Sequence, residues 1–409
     1  MPETTRCRVC DGTVQQFFDF GQQPLSDAFV KPESDLSQEF FYRLATGVCG
    51  TCTMVQLMEE VPRDRMFHEE YPYLSSGSTY MRAHFEGLAD RLLATELTGD
   101  DPFVVEVGCN DGVMLHRIAA AGVRQLGIEP SGGVADLAAA KGVRVRKSFF
   151  EESVALEVLA ADGPADVIYA ANTLCHIPYI NSVLAGVASL LAPNGVFVFE
   201  DPYLGDIVEL SSFDQVYDEH FYFFTAGSVS RMAARHGLEL VDVERLKVHG
   251  GEVRYTLART GSRTPTNAVA ELVDEEQRRG LAELPTLERF GANVEKIRQD
   301  LRGLLERLRD EGKRVVGYGA TAKSATVTNF CGIGPDLVEF ICDTTPAKQG
   351  RLAPGSHIPV RPAAAFAEPY PDFALLFAWN HAEEIMAKEQ AFRDAGGQWI
   401  RYVPDVHVS

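Results

Sequence analysis

The chain has 409 residues, 45% hydrophobic and 23% charged, a soluble globular composition long enough for two or three domains. With 38 Lys and Arg against 58 Asp and Glu, the formal net charge of −20 opposes binding to a nucleic-acid polymer, and no basic block offsets it. No apolar run reaches the ~18 residues of a membrane span, and the opening MPETTRCRVC lacks a signal-peptide pattern, so a cytoplasmic protein with no membrane partner is expected. A monomer is the simplest expectation. A phosphorylated ligand would need a locally positive pocket of backbone N–H groups, Lys or Arg.

Four of the eight cysteines form two pairs, Cys7 and Cys10 in CRVC and Cys49 and Cys52 in CGTC. A two-residue gap lets both sulfurs reach one edge of a tetrahedron, so two such knuckles predict a closed, structural four-thiolate zinc site. The rival is a redox pair, and iron also accepts four thiolates. Cys109, Cys175, Cys331 and Cys342 are scattered and read as small buried hydrophobes.

From Met81 to Leu97 a helix is expected, with Phe85, Leu88 and Leu92 on one stripe. The strand Phe103–Val107 then meets the turn EVGCNDG and the helical VMLHRIAAAG. A second strand, QLGIEPS, ends in Glu129 and Pro130, where an acidic side chain is placed to hold a ribose diol. The alternation continues through ADVIYAANTLCHIP, a helical INSVLAGVASLLAPNG and the strand Val196–Pro202, which argues for a parallel sheet covered by helices. Asn172 falls at the carboxyl end of one of these strands, where open sheets bind ligands.

The segment YDEHFYFFT, Tyr217–Thr225, sets Glu219 beside His220 within a run of aromatics. A helix and two antiparallel strands follow, with His249 in the loop KVHGGEVR read as a plain loop histidine. Asn267 to Asp310 reads as packing or linker helix, striped by Leu301, Leu304, Leu305 and Leu308. A second strand–loop–helix unit begins at RVVGYGATAKS, and Asp343 closes its next strand.

The two glycine loops differ in what they suit. Between Gly108 and Gly112 the first carries Asn110 and Asp111, with Glu106 in the strand before it. Those amide and carboxylate groups suit S-adenosylmethionine (SAM), a cationic, phosphate-free nucleoside with an amino acid tail. Gly317, Gly319 and Ala322 match G-x-G-x-x-A, which read alone says NAD. Lys323 and Ser324, just after Thr321 and Ala322, equally resemble a phosphate cradle.

Taken in order, CRVC, CGTC, EVGCNDG, NTLCHIP, YDEHF and GYGATAKS resemble the zinc-containing, SAM-dependent C-methyltransferases of nucleotide-linked deoxysugars, over essentially the whole chain. The resemblance implies an α/β chain with a zinc-binding domain (1–75), a Rossmann-like SAM-binding domain (76–262) and a C-terminal Rossmann-like domain (263–409) that helps hold the nucleotide-sugar. It implies methylation of C3 of a 4-keto sugar on thymidine diphosphate (TDP), in deoxysugar and antibiotic-sugar biosynthesis. The ketone acidifies the adjacent C–H, so the chemistry needs a base and oxyanion donors. His220 suits the base because imidazole titrates near neutrality; Glu219 could orient it or address the sugar. Tyr217, His176 and Tyr71 match the family's active-site positions. Glu106, Gly108, Asn110, Gly112, Glu129, Pro130 and Asn172 are the expected cofactor contacts, and Tyr217, Thr321, Lys323 and Ser324 the expected substrate contacts. A nicotinamide-dependent sugar oxidoreductase or epimerase using GYGATA is the alternative; its Tyr-x-x-x-Lys signature is not found in a matching context. A zinc scaffold with degenerate Rossmann halves is the non-enzyme reading.

Overall fold

The computed structural model describes residues 3–66, 74–367 and 369–409, folded around three sheets. In the first, β1 (Thr4–Arg6), β2 (Thr13–Pro24), β3 (Phe41–Cys49) and β4 (Val55–Leu57) form an antiparallel meander. Its two longer strands are β2 and β3, and β2 is bulged twice, between Gln16 and Phe18 and between Asp19 and Gln22.

The second sheet has seven strands. β5 (Phe103–Val107), β6 (Arg124–Ile128), β7 (Val145–Arg146), β8 (Ala165–Ala171) and β9 (Leu191–Pro202) are parallel. All five residues of β5 are buried, as a strand covered by helices on both faces requires. Packed on these faces are the helices Thr79–Thr95, Val113–Ala120 and Ile180–Leu190, among others. The expected helix through Asn194 and Gly195 stops at Leu190, and β9 starts at once. Its pairing with β8 shifts register between Ala165 and Val167, so the Pro-Asn-Gly stretch is a strand irregularity and not a helix end.

The segment following β9 returns to the first sheet: β10 (Tyr222–Phe223) pairs antiparallel with β4, Tyr222 opposite Gln56. The central sheet then closes with β11 (Leu238–Leu246) antiparallel to β12 (Glu252–Arg259), and β12 antiparallel to β9. The resulting order is β11-β12-β9-β8-β5-β6-β7.

The helices Asn267–Arg278 and Leu284–Asp310 lead to the third sheet, and the longer one buries Leu301, Leu305 and Leu308 as the apolar stripe requires. It also packs on the first sheet at Gly291, where an added Cβ would lie 2.6 Å from the Phe18 ring. In the third sheet, β13 (Val315–Tyr318), β14 (Ile341–Asp343), β15 (Val360–Pro362), β16 (Phe373–Leu376) and β17 (Gln398–Arg401) are parallel, with β18 (His407–Val408) antiparallel at the edge. No helix among the described residues is long and apolar enough to cross a membrane.

Side chains from all three sheets meet in one aromatic cluster. Phe330 packs edge-on against Phe18, Phe20 and Phe213, with ring centroids 5.8, 5.1 and 5.9 Å away. Beside it the buried Asp214 carboxylate accepts from Trp379 Nε1 (2.6 Å) and the Tyr402 hydroxyl (2.7 Å). Each aromatic pair contributes about 0.5–1.5 kcal/mol beyond its buried area. Replacing the fully buried Phe213 removes several pairs at once. Phe213→Ala is therefore expected to lower the unfolding free energy by about 3–5 kcal/mol, against less than about 0.5 kcal/mol for the exposed Leu156→Ala. Guanidinium titration checks this; equal midpoints for the two variants would mean that the sheets are not joined through this cluster.

Candidate active site

The knuckles fold alike. Each turn has a left-handed residue after its second cysteine, Asp11 (φ 60°) after Cys10 and Thr53 (φ 62°) after Cys52. Each also aims an amide at a sulfur: Val9 N donates to Cys7 Sγ and Thr51 N to Cys49 Sγ, both at 3.4 Å. The sulfurs of Cys7 and Cys52, and of Cys10 and Cys49, are 3.5 Å apart, and all four lie within 4.8 Å of one another. A tetrahedron of zinc–sulfur bonds of about 2.3 Å has edges of about 3.8 Å. The cage fits zinc, and with four thiolates it leaves no position for chemistry.

In the central sheet, the carboxyl ends of β8, β5 and β6 lie side by side and carry the expected cofactor residues. The loop after β5 is left-handed at Gly108 (φ 70°), Asn110 (φ 48°) and Gly112 (φ 73°). A Cβ at Gly108 would sit 2.5 Å from Thr173 Oγ1, and one at Gly112 would sit 2.9 Å from Ala138 Cβ, so conformation and space both demand glycine. At the end of β6 the Glu129 carboxylate accepts from Asn110 N (2.9 Å) and Ser131 N (2.8 Å), which locks the two loops together. Burial pushes Glu129 up, and these amides partly offset it. Underneath, buried Glu106 has one carboxyl oxygen without a hydrogen-bond partner, and burial with the charges of Asp111 and Glu129 holds it well above the carboxylate range. Pro130 follows Glu129, and Asn172, also left-handed (φ 48°), follows β8 with its N–H donated to Glu200 O (2.7 Å). A fixed carboxylate and a tight glycine turn fit the cationic methyl donor SAM.

The second group lies beside the ends of β8 and β9. The stretch 216–221 has no regular structure; its residues are held by outside partners. His220 is 4% exposed; its Nδ1 faces Gln215 O at 2.8 Å and its Nε2 the Tyr217 hydroxyl at 2.7 Å. A carbonyl can only accept, so the proton is on Nδ1, and Nε2 carries the lone pair that receives the Tyr217 hydrogen. His176, from the turn Leu174–His176 after β8, sets its ring 5.0 Å from that of His220 and its Nδ1 3.6 Å from Glu219 Oε2. Phe221 N donates to Cys175 O at 2.7 Å, so the two loops are stitched together. Burial pushes His176 down to about 4, and burial followed by His176 pushes His220 well below its ordinary value, so both rings are neutral near pH 7. Burial, followed by the charge of Glu219, raises Tyr217 well above its usual range and keeps it a hydroxyl. Tyr71, the remaining expected member, lies outside the described residues.

The third group comes from the C-terminal sheet. Thr321 and Ser324 serve chiefly the start of helix Ala322–Phe330: Thr321 Oγ1 accepts from Ser324 N (3.3 Å) and Ser324 Oγ donates to Thr321 O (2.6 Å). Lys323 instead crosses to the central sheet, where its Nζ donates to His249 O (3.3 Å) and stands 5.0 Å from the Trp379 ring centroid. His249 is therefore no plain loop residue. It is left-handed (φ 50°), and desolvation together with Lys323, His381 and His84 pushes it down to about 3. Glu252, fully buried, is held well above the carboxylate range by burial and then by Glu200 and Asp201, with Asn172 and Lys323 opposing, so it also faces this seam. No short motif marks either residue; only the domain packing makes them neighbours of Lys323.

The GYGATA loop does not offer the dinucleotide cradle its pattern suggests. A Cβ at Gly319 (φ 88°) would lie 2.9 Å from Ala378 Cβ, and one at Gly317 2.7 Å from the Phe377 ring, so the end of β16 already fills the space. Both Asp343 oxygens accept backbone N–H groups, from Ala320 and Thr345, at 2.7 Å.

Comparison with known proteins agrees with this layout. Family matches cover residues 7–67, a family described as zinc-binding, residues 80–243, a methyltransferase domain, and residues 247–404, the C-terminal domain of C-methyltransferases. The C-methyltransferase NovU of Streptomyces niveus is 35% identical over 406 residues, covering 98% of this chain and 96% of that protein. The ubiquinone biosynthesis O-methyltransferase of Burkholderia pseudomallei is 28% identical over 171 residues, 38% of this chain and 72% of that protein. A solved magnesium protoporphyrin IX methyltransferase from Synechocystis PCC 6803, with bound SAH, overlaps 44% of this chain and 83% of its own at 14% identity and a TM-score of 0.34. The relative that spans the full length is a C-methyltransferase, and the chain belongs to that family of zinc-containing, SAM-dependent C-methyltransferases.

Proposed function

We propose that the chain methylates C3 of a TDP-linked 4-keto-deoxysugar, the carbon beside a ketone, in the making of deoxysugars such as those of antibiotics. The observation that carries this reading is the Gln215–His220–Tyr217 relay: a neutral imidazole fixed at Nδ1, with its basic Nε2 reached by a buried hydroxyl.

Gly108, Asn110, Gly112, Glu129, Pro130 and Asn172, above Glu106, hold the cofactor at the ends of β8, β5 and β6. When bound there, SAM supplies the electrophilic methyl group. Lys323, anchored by the cap of Thr321 and Ser324, meets the diphosphate; burial pushes its pKa down, and the flanking Asp214 and Glu252 partly offset this.

The Tyr217 hydroxyl turns from His220 Nε2 to the ketone oxygen as negative charge develops there. That donation stabilises the enolate and frees Nε2 to take the proton from C3. The imidazolium so formed keeps its Nδ1 hydrogen bond to Gln215 O and has the Glu219 side chain near His176 as the closest carboxylate partner of the pair. His176, neutral, gives the sugar a hydrogen-bonding edge rather than a charge, as does Tyr71 in this reading.

Removing the base should stop proton abstraction and leave cofactor affinity alone, because a base acts only in the transition state. His220→Asn is expected to lower turnover by about 10²–10⁴-fold, with the Kd for S-adenosylhomocysteine within about twofold of wild type. Without a methyl donor, wild-type protein in D2O should exchange the C3 hydrogen of the sugar, and the variant should not. Retained exchange in His220→Asn would move the base to Glu219.

The cofactor contacts are checked separately. Gly108→Ala forces a Cβ onto Thr173 at a left-handed position, which costs of order 1–3 kcal/mol of strain. Calorimetric titration should show S-adenosylhomocysteine binding weakened by about tenfold or more; unchanged affinity would remove this loop from the cofactor site.

A further inference from the structure

Among the described residues two groups of metal-ligating side chains converge. One is the four-cysteine cage; the other is Cys175, His176 and His220, whose donor atoms also lie within 4.8 Å of one another. The second group plays no metal-binding part in the reaction proposed above.

Its geometry is nonetheless that of a prepared ligand set. His220 turns Nδ1 to Gln215 O and so presents Nε2. His176 turns Nδ1 toward Glu219 Oε2, 3.6 Å away. The Gln215 carbonyl on the far nitrogen of His220 is the outer-sphere arrangement that orients metal-binding histidines and strengthens their donation, and Glu219 stands within ion-pair range of the corresponding nitrogen of His176. Cys175 is fully buried, and its backbone is fixed at both ends, N to Asp201 Oδ1 at 3.4 Å and O to Phe221 N at 2.7 Å, which holds the side chain at the rings. Two imidazoles and a thiolate suit zinc and similar borderline-soft cations, and not magnesium or calcium; three protein ligands leave a fourth position open.

We propose that Cys175, His176 and His220 form a second site for a zinc-class divalent cation, and that its occupation inhibits the enzyme. Binding breaks the Tyr217–Nε2 hydrogen bond and the hydrogen bond of the Cys175 thiol to Asp201, releases the thiol proton to solvent, and forms one metal–sulfur and two metal–nitrogen bonds. The Nε2 lone pair that would accept the C3 proton is then engaged. The binding half rests on donor geometry alone; the inhibitory half rests on His220 as the base.

The test uses the full chain with its four-cysteine zinc in place. Equilibrium dialysis against micromolar Zn2+ should give two zinc ions per wild-type chain and one in Cys175→Ala. Cys175→Ser, which keeps a small polar atom but no soft ligand, serves as the second variant should the first fail to fold. Both variants should turn over like wild type without added metal. Added Zn2+ should inhibit wild type at a concentration at least about tenfold below that needed for either variant, and chelation should reverse it. One zinc per wild-type chain, or a second zinc retained by both variants, overturns the site and leaves the assignment of His220 as base untouched. A Cys175-dependent second zinc with undiminished turnover overturns the inhibition and, with it, the need for a free Nε2.

Discussion

The stretch from Asp214 to Phe221 is buried and belongs to no α-helix or sheet, so the polar groups that it does not pair within itself must find partners elsewhere. Those partners come from all three sheets. Ser26 N, on the zinc-binding side, donates to Asp218 Oδ1 at 3.0 Å, and Leu57 N donates to Phe221 O at 3.0 Å. Cys175 O, in the central domain, takes Phe221 N, while Thr326 Oγ1, from the C-terminal sheet, donates to Val216 O at 2.8 Å. Leaving one such buried group unpaired costs about 1–3 kcal/mol, so the loop has its shape only in the assembled molecule. This explains what a closed zinc site contributes far from any chemistry: it fixes β4, and β4 fixes β10 and the residues before it.

Electrostatics at the same seam bear on how a chain of net charge −20 would receive the anionic substrate proposed above. Screening confines surface charge to about a Debye length, ~8–10 Å, so what matters is the local set. Lys323, His249, His381 and His84 influence one another across the junction of the central and C-terminal sheets, with Asp214 and Glu252 as the opposing carboxyls. Burial disfavours charge on Lys323, His249 and His381, and on Asp214 and Glu252. Burial pushes Lys323 down as it does His249, but lysine has the highest intrinsic pKa of the cationic members, so it is the one that best keeps a charge. Lys323, hydrogen-bonded to the His249 carbonyl and beside the Trp379 ring, therefore faces the site as its cationic side chain.

Local features were legible in the sequence because they are set by neighbours along the chain: the two cysteine knuckles, the glycine turn after β5, the acidic end of β6 and the striped helix Leu284–Asp310. The relay around His220 was legible in part, since the pairing of Tyr217 with His220 is a three-residue contact, but the Gln215 carbonyl that fixes the tautomer belongs to backbone and leaves no trace in residue type. β10 was illegible, being two residues inside an aromatic run with no period to read. Cys175 read as an ordinary buried thiol, and His249 as a loop residue, because what distinguishes each is a partner brought by a distant element.

The two nucleotide-type folds show the limit of loop patterns most directly. Both put a carboxylate after the second strand, and both use it to accept two backbone N–H groups, Glu129 from Asn110 and Ser131, Asp343 from Ala320 and Thr345. By pattern the second is the better dinucleotide match. What separates them is the residue opposite the glycine. Thr173 crowds any side chain at Gly108 yet leaves the turn facing the ends of β8 and β6, whereas Ala378 and Phe377 pack directly on Gly319 and Gly317. A glycine admits whatever comes close, and in the C-terminal domain what comes close is the protein itself. That loop has thus become packing, its helix start sealed by Thr321 and Ser324, and the residue it still projects outward is Lys323. One fold used twice can in this way come to differ, the first copy with its glycine turn facing the ends of the parallel strands and the second with that turn filled by its own chain, Lys323 reaching from it to the His249 carbonyl.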